Sequence, residues 1–408
     1  TRLPCGLSMS IPAPSAAATA GPTAAPTVRP TPAPTATPAP TPSPTPQPTP
    51  VPTLAPEAEP ARHIRNERVY VGERQAQNYV RDEEINLGAE GYAQLPGVTT
   101  FRGNNLRNGG AYGVADVREG ALEIAWNVPI SALDKWTGVG WNGSPAIVQW
   151  GDEVRQAMNL YPEKREKQGL KEVVYAALDG RIYFKDLEDG SATRDPIVLG
   201  YPIKGSVTVD PRGYPLLYTG QGIDSRHGVT GPIGFHIYSL LDGERLFFQN
   251  GRDPQALRGW HAFDSVALVD GQADTVIEAG ENGLLYTIKL HTELDLAQGE
   301  LSISPEVVKR QYACAGRLGT ENSVAVYGNR AYFADNSGLF HCVDLNTMQA
   351  LGVRDVTDDT DATPLIDLEE GRPMIYTACE VDRQGPGGKS YIRKLDGDTG
   401  AVIWERAV

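Results

Sequence analysis

From residue 99 onward, short apolar runs alternate with turn-forming residues, which is the pattern of successive β-strands. Examples are SPAIVQW at 144–150, DSVALVD at 264–270 and NSVAVYG at 322–328. Each is followed by further apolar runs and a Gly-containing hairpin. Helical periodicity is rare, and residues 62–86 are the main exception. We predict a short helix or an N-terminal clasp for that stretch and an all-β structure for the rest.

The apolar runs fall into five similar units, each headed by a small residue: Ser144, Ser206, Ser265, Ser323 and Ala362. Each unit contains four predicted strands in the same order, which is the content of one β-propeller blade. Small residues suit the innermost strand, because blades crowd together at the axis. The hairpins use Asp-Gly and Glu-Asn-Gly, which supply the positive φ angles of tight turns. The alternative is a β-sandwich whose strands are regularly spaced by coincidence.

Three segments resemble the PQQ-like, or quinoprotein-type, β-propeller repeat: ALDGRIYFKDLEDG (177–190), NSGLFHCVDLNTMQAL (336–351) and YIRKLDGDTGAVIWE (391–405). The segment TTFRGNNLRNGG at 99–110 resembles the opening of the family's propellers, and Trp126 and Trp404 match its outer-strand tryptophan. The other repeats lack that tryptophan. The resemblance covers residues 99–408 and implies four-stranded antiparallel blades. This repeat occurs in enzymes and in scaffolds, so it does not define an activity.

Three domains are expected: a Pro/Thr-rich linker or stalk at 1–60, an N-terminal extension at 61–98 and the propeller at 99–408. The resemblance implies seven or eight blades, and five units are visible. We therefore expect a propeller of about seven blades that is truncated at its C-terminal end. A five-bladed ring closed by residues 120–129 is the alternative.

The first sixty residues contain 18 of the 32 prolines, and Thr-Pro alternation favours an extended polyproline II stalk. Such stalks are common in exported proteins. The segment LPCGLS suggests the end of a lipoprotein signal with Cys5 lipidated, although Pro4 does not fit that signal. We predict a bacterial protein that is secreted or attached to the cell envelope. Contact with a membrane would be made only through a missing N-terminal anchor.

The charge of the body restricts the partners it can bind. The four charged residues of the tail cancel, so the net charge of −14 lies on the body. An acidic body repels nucleic acid and anionic lipid headgroups, and it is compatible with cations, glycans and proteins. We expect a monomer. The cysteines form no CxxC pair, and Cys342 and Cys379 are predicted to be small buried apolar residues rather than a disulfide.

Loops that lead into the innermost strands of a propeller line one mouth of its central channel. We predict that ligand-binding residues lie there: Trp141, Asn142, Lys204, Trp260, His261, Asp264, Glu321, Asn322 and Asp361. Carboxylate and amide oxygens beside indole faces suit a sugar or Ca²⁺. The alternative is structural, because Asp and Asn also cap strand ends and satisfy buried amides.

No catalytic residue and no metal ligand is assigned from the sequence. The acidic run Asp355, Asp358, Asp359 and Asp361 lacks the glycine and terminal glutamate of an EF-hand, so we predict a solvated linker. His227 and His261 lack a zinc-binding context. The chain also lacks the GxSxG and Walker motifs.

The resemblance makes a quinone enzyme the competing hypothesis. PQQ dehydrogenases of this fold use a vicinal cysteine pair, a stacking tryptophan and a Glu/Asn/Asp calcium set with a catalytic aspartate. No two cysteines are adjacent here, and the other residues form no coherent set. We therefore expect no cofactor and predict a non-catalytic binding scaffold for a protein or cell-wall glycan. The alternatives are a PQQ- and Ca²⁺-dependent oxidoreductase and a propeller enzyme that acts on glycans.

Overall fold

Residues 52–118, 120–140 and 144–408 are described by a computed structural model of the chain. Their strands form five antiparallel sheets that follow one another along the chain, and each contains four strands in sequence order. We call these sheets blades 1 to 5. They confirm the predicted fold class, a β-propeller of four-stranded antiparallel blades.

The elements before the blades are two 3₁₀ turns (Pro56–Ala58, Pro60–Arg62), β1 (Ile64–Val71), β2 (Arg74–Ala76), β3 (Gly97–Val98), β4 (Ala132–Leu133) and β5 (Trp136–Thr137). Blade 1 consists of β6 (Ala146–Gln149), β7 (Lys171–Ala176), β8 (Arg181–Asp186) and β9 (Ile197–Val198), with α1 (Asp152–Ala157) and α2 (Pro162–Glu166) inserted. Blade 2 consists of β10 (Thr208–Val209), β11 (Leu216–Gly220), β14 (Gly234–Ser239) and β15 (Arg245–Asn250), with the hairpin β12 (Ser225–Arg226) and β13 (Val229–Thr230) inserted.

Blade 3 consists of β16 (Leu268–Asp270), β17 (Thr275–Ala279), β18 (Leu284–Lys289) and β21 (Glu306–Cys314), with the hairpin β19 (Glu293–Asp295) and β20 (Glu300–Ser302) inserted. Blade 4 consists of β22 (Ala325–Tyr327), β23 (Arg330–Ala334), β24 (Leu339–Asp344) and β25 (Gln349–Asp355). Blade 5 consists of β26 (Leu365–Glu369), β27 (Arg372–Cys379), β28 (Tyr391–Asp396) and β29 (Val402–Ala407). Among the described residues, no helix has the length and apolar character needed to cross a membrane.

Apolar clusters fill the spaces between consecutive blades, which explains why the middle strands are apolar on both faces. Pairs that meet in these clusters are Phe184 with Leu217, Phe235 with Tyr286, Ile277 with Phe333 and Tyr332 with Ile375. None of the apolar clusters built from the described residues joins blade 5 to blade 1.

The small residues at the strand heads hydrogen-bond between neighbouring blades. The Ser206 hydroxyl accepts the Ser144 amide at 2.9 Å, and the Ser323 hydroxyl accepts the Val266 amide at 3.0 Å. The Thr363 hydroxyl accepts the Ser323 amide at 2.9 Å. A larger side chain at these positions would separate the blades, so the small heads predicted from the sequence have a packing reason.

Residues 97–108, which we call the axial segment, run past the innermost strand of every blade. β3 pairs with β6 of blade 1, and the segment then contacts blades 2 to 5 in chain order. Those contacts join Thr99 O to Val209 N, Thr100 Oγ1 to Ala267 O, Asn105 O to Val326 N and Leu106 O to Ile366 N. The segment thereby connects all five blades at the axis.

Arg107 is the centre of this arrangement and is fully buried. Its guanidinium donates to Val324 O at 2.8 Å, Val266 O at 2.6 Å and Phe101 O at 2.9 Å. Burial lowers the pKa of Arg107 to about 10, so the group is still charged at neutral pH. Its backbone has a φ of 59°, which a non-glycine residue adopts when surrounding contacts hold it there.

Gly103 explains the glycine of the FRGN sequence. Its φ is +82°, and a Cβ atom placed on it would lie 1.8 Å from the Gly109 carbonyl oxygen. Any side chain at Gly103 would therefore push this part of the axial segment away from Gly109.

Of the short helix and the N-terminal clasp expected for residues 62–86, the helix is not formed, and the last residues of the expected stalk are packed on the blades. Residues 64–71 and 74–76 are strands rather than a helix, and β1 pairs with β21 to extend blade 3. The free edge of β21 offered unpaired backbone groups, and the extension satisfies them. Residues 1–51 of the predicted stalk lie outside the described residues, whereas 52–60 pack on blades 4 and 5, with Ala55 N donating to Thr399 O. Those nine residues are therefore not a free linker.

The five-bladed ring closed by residues 120–129 is not observed, because these residues form no strand. Trp126 instead packs against Gly190 and donates its indole N–H to Leu187 O at 2.9 Å. Trp404 lies on β29, the outer strand of blade 5. Cys314, Cys342 and Cys379 are free thiols; Cys379 is buried and Cys342 is partly buried.

We expect Arg107→Met to lower the free energy of unfolding by about 3 kcal/mol or more, because buried carbonyls left without a donor cost about 1–3 kcal/mol each. Urea unfolding of the full chain measures this loss. Arg118→Met is the control, since Arg118 is exposed. A loss below about 1 kcal/mol would show that the axial guanidinium does not hold the blades together.

Candidate functional site

Each blade presents two kinds of loop at the same end of the propeller, which we call the mouth. Antiparallel strands alternate in direction, so the loop before the first strand and the hairpin between the second and third strands share one end. Lys204, Asp264, Glu321 and Asp361 precede the first strands of blades 2 to 5. Glu281 lies in a second-to-third-strand hairpin of blade 3, as do Asn336 and Glu380 in blades 4 and 5.

Lys204 and Asp264 form a buried ion pair across two blades. The ammonium lies 2.8 Å from Asp264 Oδ2, and it also lies over the Trp260 ring at 5.9 Å from the centroid. Burial alone would lower the pKa of Lys204, but the Asp264 carboxylate outweighs it and raises that pKa. Three residues predicted from sequence therefore meet here.

Asp264, Glu281 and Glu321 form the first carboxyl group cluster, with one oxygen of each within 4.8 Å of the others. Asp264 and Glu281 are buried and interact directly. Arg258 Nη1 lies 3.4 Å from Glu281 Oε2, and Asn336 donates to Glu321 Oε1 at 2.7 Å. Burial, together with the Asp264 and Glu321 charges, raises the pKa of Glu281 to about 10. Glu281 is therefore protonated at neutral pH.

Asp359, Asp361 and Glu380 form the second cluster at the same spacing. Burial and the Glu321 and Glu380 carboxylates raise the pKa of Asp361 to about 7. Burial also raises the pKa of Asp359 to about 6. The hydrogen bond from the Thr360 amide opposes this rise, whereas the charges of Glu321 and Glu380 add to it. Because Glu321 acts on both clusters, the two form one acidic surface.

The acidic run before β26 is not the solvated linker that we predicted. Asp358 and Asp359 are buried, and Asp358 accepts backbone amides of Arg383 at 2.9 Å and Gln384 at 3.0 Å. Burial would raise the pKa of Asp358, but these amides outweigh it and lower the pKa to about 2. The hairpin of blade 5 folds back onto the run, and this long-range contact has no signal in the local sequence.

Two predicted ligand residues have other surroundings. Asn322 is fully buried, with its amide donating to Ala334 O at 2.8 Å and Thr360 O at 2.6 Å, so it braces two loops as in the structural alternative. His261 lies against Gly251, and its charged neighbours are Arg252 and Asp224. Burial and Arg252 lower the pKa of His261. Trp141 and Asn142 lie outside the described residues.

Sequence reasoning missed Glu281, Glu380 and the buried state of Asp359. Glu281 and Glu380 belong to hairpins that recur in every unit, so the repeat alignment contained a signal for their place at the mouth. Their convergence on Asp264 and Asp361 depends on how neighbouring blades are rotated, which the spacing does not report.

Carboxyl groups at this spacing fit a cationic group, including a divalent cation that prefers oxygen ligands. PQQ does not fit the described part of the mouth. It carries carboxylates of its own and would face the two acidic clusters. The nearby ammonium of Lys204 is already paired with Asp264.

The blades and the filled axis define the class of the protein as a β-propeller, the fold that the resemblance to PQQ-like repeats implied. No protein-family model matches the chain, and no curated protein matches its sequence.

Among solved structures, the chain is similar to BamB from Moraxella catarrhalis, with 15% identity, a TM-score of 0.39 and 59% of each chain covered. It is also similar to a europium-containing methanol dehydrogenase, with 11% identity, a TM-score of 0.44 and 79% of each chain covered. The chain thus spans little more than half of the BamB length. Neither activity is assigned to this chain by these similarities.

The raised pKa values make stability depend on pH. Asp359 and Asp361 bind protons more tightly when folded, so their contribution is fully present below about pH 4 and is lost as the pH rises through 6 and 7. We expect Asp361→Asn, which keeps this position neutral, to flatten that decline and to exceed the wild type in stability above pH 7.

Urea unfolding between about pH 4.5 and pH 8 measures this effect. Glu300→Gln, at an exposed hairpin position, is the control and should follow the wild-type profile. Parallel profiles for Asp361→Asn and the wild type would show that Asp361 titrates normally.

Proposed function

We propose that this chain is a non-catalytic binding propeller that acts as an interaction scaffold at the bacterial cell envelope. Its mouth receives a cationic segment of a protein partner. The observation that carries the proposal is the adjoining pair of carboxyl clusters, Asp264–Glu281–Glu321 and Asp359–Asp361–Glu380. Like charges at this distance repel one another, and an incoming lysine or arginine would relieve that repulsion.

The protonation of the mouth supports a cationic partner. Burial, followed by repulsion from neighbouring carboxylates, raises the pKa values of Glu281, Asp361 and Asp359 to about 10, 7 and 6. Binding of a positive group would lower these pKa values and release protons. A neutral glycan, the other partner expected from the sequence, offers no such compensation at this site.

The filled axis supports binding rather than passage through the protein. Arg107 and the axial segment run along the innermost strands of the blades. A ligand would therefore engage the surface presented by the loops. The Pro/Thr-rich tail supports export and envelope attachment, and a single propeller acting as a monomer is sufficient for this role.

The competing function is a quinoprotein-type oxidoreductase, or a propeller enzyme acting on glycans. Its supporting observation is that the carboxyl cluster of Asp264, Glu281 and Glu321 has a spacing suitable for a cation. The poor fit of PQQ to the acidic surface and the absence of adjacent cysteines weigh against the quinone enzyme.

Binding of fluorescent decalysine to the full chain tests the proposal. We expect saturable binding that weakens as NaCl rises from about 20 to about 200 mM. Glu321→Gln combined with Asp361→Asn should weaken binding about tenfold, because two carboxylates of the mouth are neutralised. Fluorescence anisotropy gives the dissociation constants.

Glu293→Gln combined with Glu300→Gln is the matched control, because it removes the same net charge from the exposed hairpin of blade 3. If both pairs of substitutions weaken binding equally, the effect comes from the overall charge of the protein. The mouth would then not be the binding site. A rise in melting temperature of a few degrees with PQQ plus Ca²⁺, and none with decalysine, would replace the scaffold by the oxidoreductase.

A further inference from the structure

A polar cleft lies between blades 1 and 2, and we call it the side cleft. Its cavity volume is about 640 Å³, which is within the usual range for small-ligand sites. Blade 1 contributes the stretch 194–199, and blade 2 contributes β14 and the turn that follows it. It adjoins the mouth, because Gln221 and Pro232 of its lining belong to the loop between the second and third strands of blade 2.

His236 belongs to the lining of the side cleft, and it carries a buried hydrogen-bonding atom that the described residues do not satisfy. The side chain is buried, and its Nε2 lies 3.2 Å from Gln221 Oε1. The Gln221 amide nitrogen donates to the carbonyls of Ile223 and Pro232, so Oε1 is the acceptor and His236 Nε2 carries the hydrogen. Nδ1 is then a buried acceptor, and it has no partner among the described residues.

The neutral state of His236 follows from its surroundings. Burial and the nearby Arg245 charge lower the pKa of His236 to about 3. A neutral acceptor buried without a donor costs free energy, so such an atom in a native protein needs an explanation. A ligand hydroxyl that donates to Nδ1 supplies one.

Tyr238 provides a second group on the same face of β14. Its ring stacks on His236 with centroids 5.8 Å apart and an interplanar angle of 13°. The ring is buried, yet the Tyr238 hydroxyl makes no hydrogen bond to any described residue. Phe235 and Ile237 point instead into the apolar cluster with blade 3, as strand alternation requires.

The rest of the lining combines apolar surface with polar and charged groups. Pro196, Ile197, Leu199 and Pro232 contribute the apolar part, while Tyr201 adds a further ring. Pyranose rings present apolar C–H faces and a rim of hydroxyls, so they match a wall of this mixed character.

The charges of the side cleft disfavour an anionic ligand. Arg194 lies in the lining, but its guanidinium already forms an ion pair with Glu172 at 2.8 Å and donates a hydrogen bond to Leu240 O at 2.9 Å. The positive charge of Arg245 is then outnumbered by the negative charges of three acidic side chains in the lining: Asp195, Asp242 and Glu244. The two groups of β14 without a hydrogen-bond partner among the described residues, His236 Nδ1 and the Tyr238 hydroxyl, are neutral. They therefore favour a neutral ligand rich in hydroxyls.

We propose that the side cleft is a carbohydrate-binding site in which His236 Nδ1 accepts a sugar hydroxyl and Tyr238 makes a second hydrogen bond. The side cleft shares no residue with the two carboxyl clusters of the mouth, and the proposal stands whether or not those clusters bind a cationic partner. A chain that binds a glycan here could hold a protein at its mouth at the same time.

Saturation-transfer NMR of the full chain with glucose, N-acetylglucosamine, maltotriose and triacetylchitotriose tests the site. We expect transfer to at least one of these sugars. His236→Phe removes the acceptor and keeps an aromatic ring, and Tyr238→Phe removes only the hydroxyl. Each should weaken binding about five- to tenfold, as the loss of one buried hydrogen bond does.

Tyr175→Phe is the matched control, because Tyr175 lies on β7 and is not part of the cleft lining. It should leave the affinity unchanged. Absence of transfer to all four sugars would overturn the proposal, as would equal affinities for the wild type and Tyr238→Phe. If His236→Phe does not fold, as judged by near-UV circular dichroism, Tyr238→Phe alone decides.

Discussion

The passage of one short segment along all the innermost strands is the constraint on which the rest of this structure depends. Residues 97–108 exchange hydrogen bonds with each blade in turn, and Arg107 binds carbonyl oxygens of blades 3 and 4 from the axis. A buried guanidinium is costly in isolation, but the carbonyl acceptors compensate for its lost hydration. The axis is thus held by polar contacts, whereas the spaces between blades are held by apolar packing.

That rigidity permits the mouth to keep several carboxyl groups together. Asp264, Glu321 and Asp361 come from three different blades, and inter-blade hydrogen bonds at the strand heads fix their separation. In a loop that could relax, like charges would move apart. Here burial and repulsion raise the pKa values of Glu281 and Asp361. A positive charge placed beside these carboxyl groups would be stabilised by them. In the proposed function, a cationic partner would relieve this repulsion on binding.

The two candidate sites use different parts of the repeat. The mouth is built from loops that occur in every unit, so its chemistry depends on which residue each unit places there. The side cleft uses one inter-blade space, where β14 presents His236 and Tyr238. A regular scaffold can therefore carry an acidic surface and a polar cleft built from different residues.

The sequence by itself determined the local structure: strand content, four strands in each unit, the small strand heads and the set of loops at the mouth. These follow from side-chain size and from alternation over a few residues, as Ser206 and Ser323 illustrate. Only the tertiary structure decided that residues 64–71 extend blade 3 and that the Asn322 amide hydrogen-bonds to Thr360 O inside the protein. It also decided that Glu281 and Glu380 complete the carboxyl clusters. Those outcomes depend on contacts between distant residues, because the rotation of one blade against the next sets which loops meet, and no local pattern records that rotation.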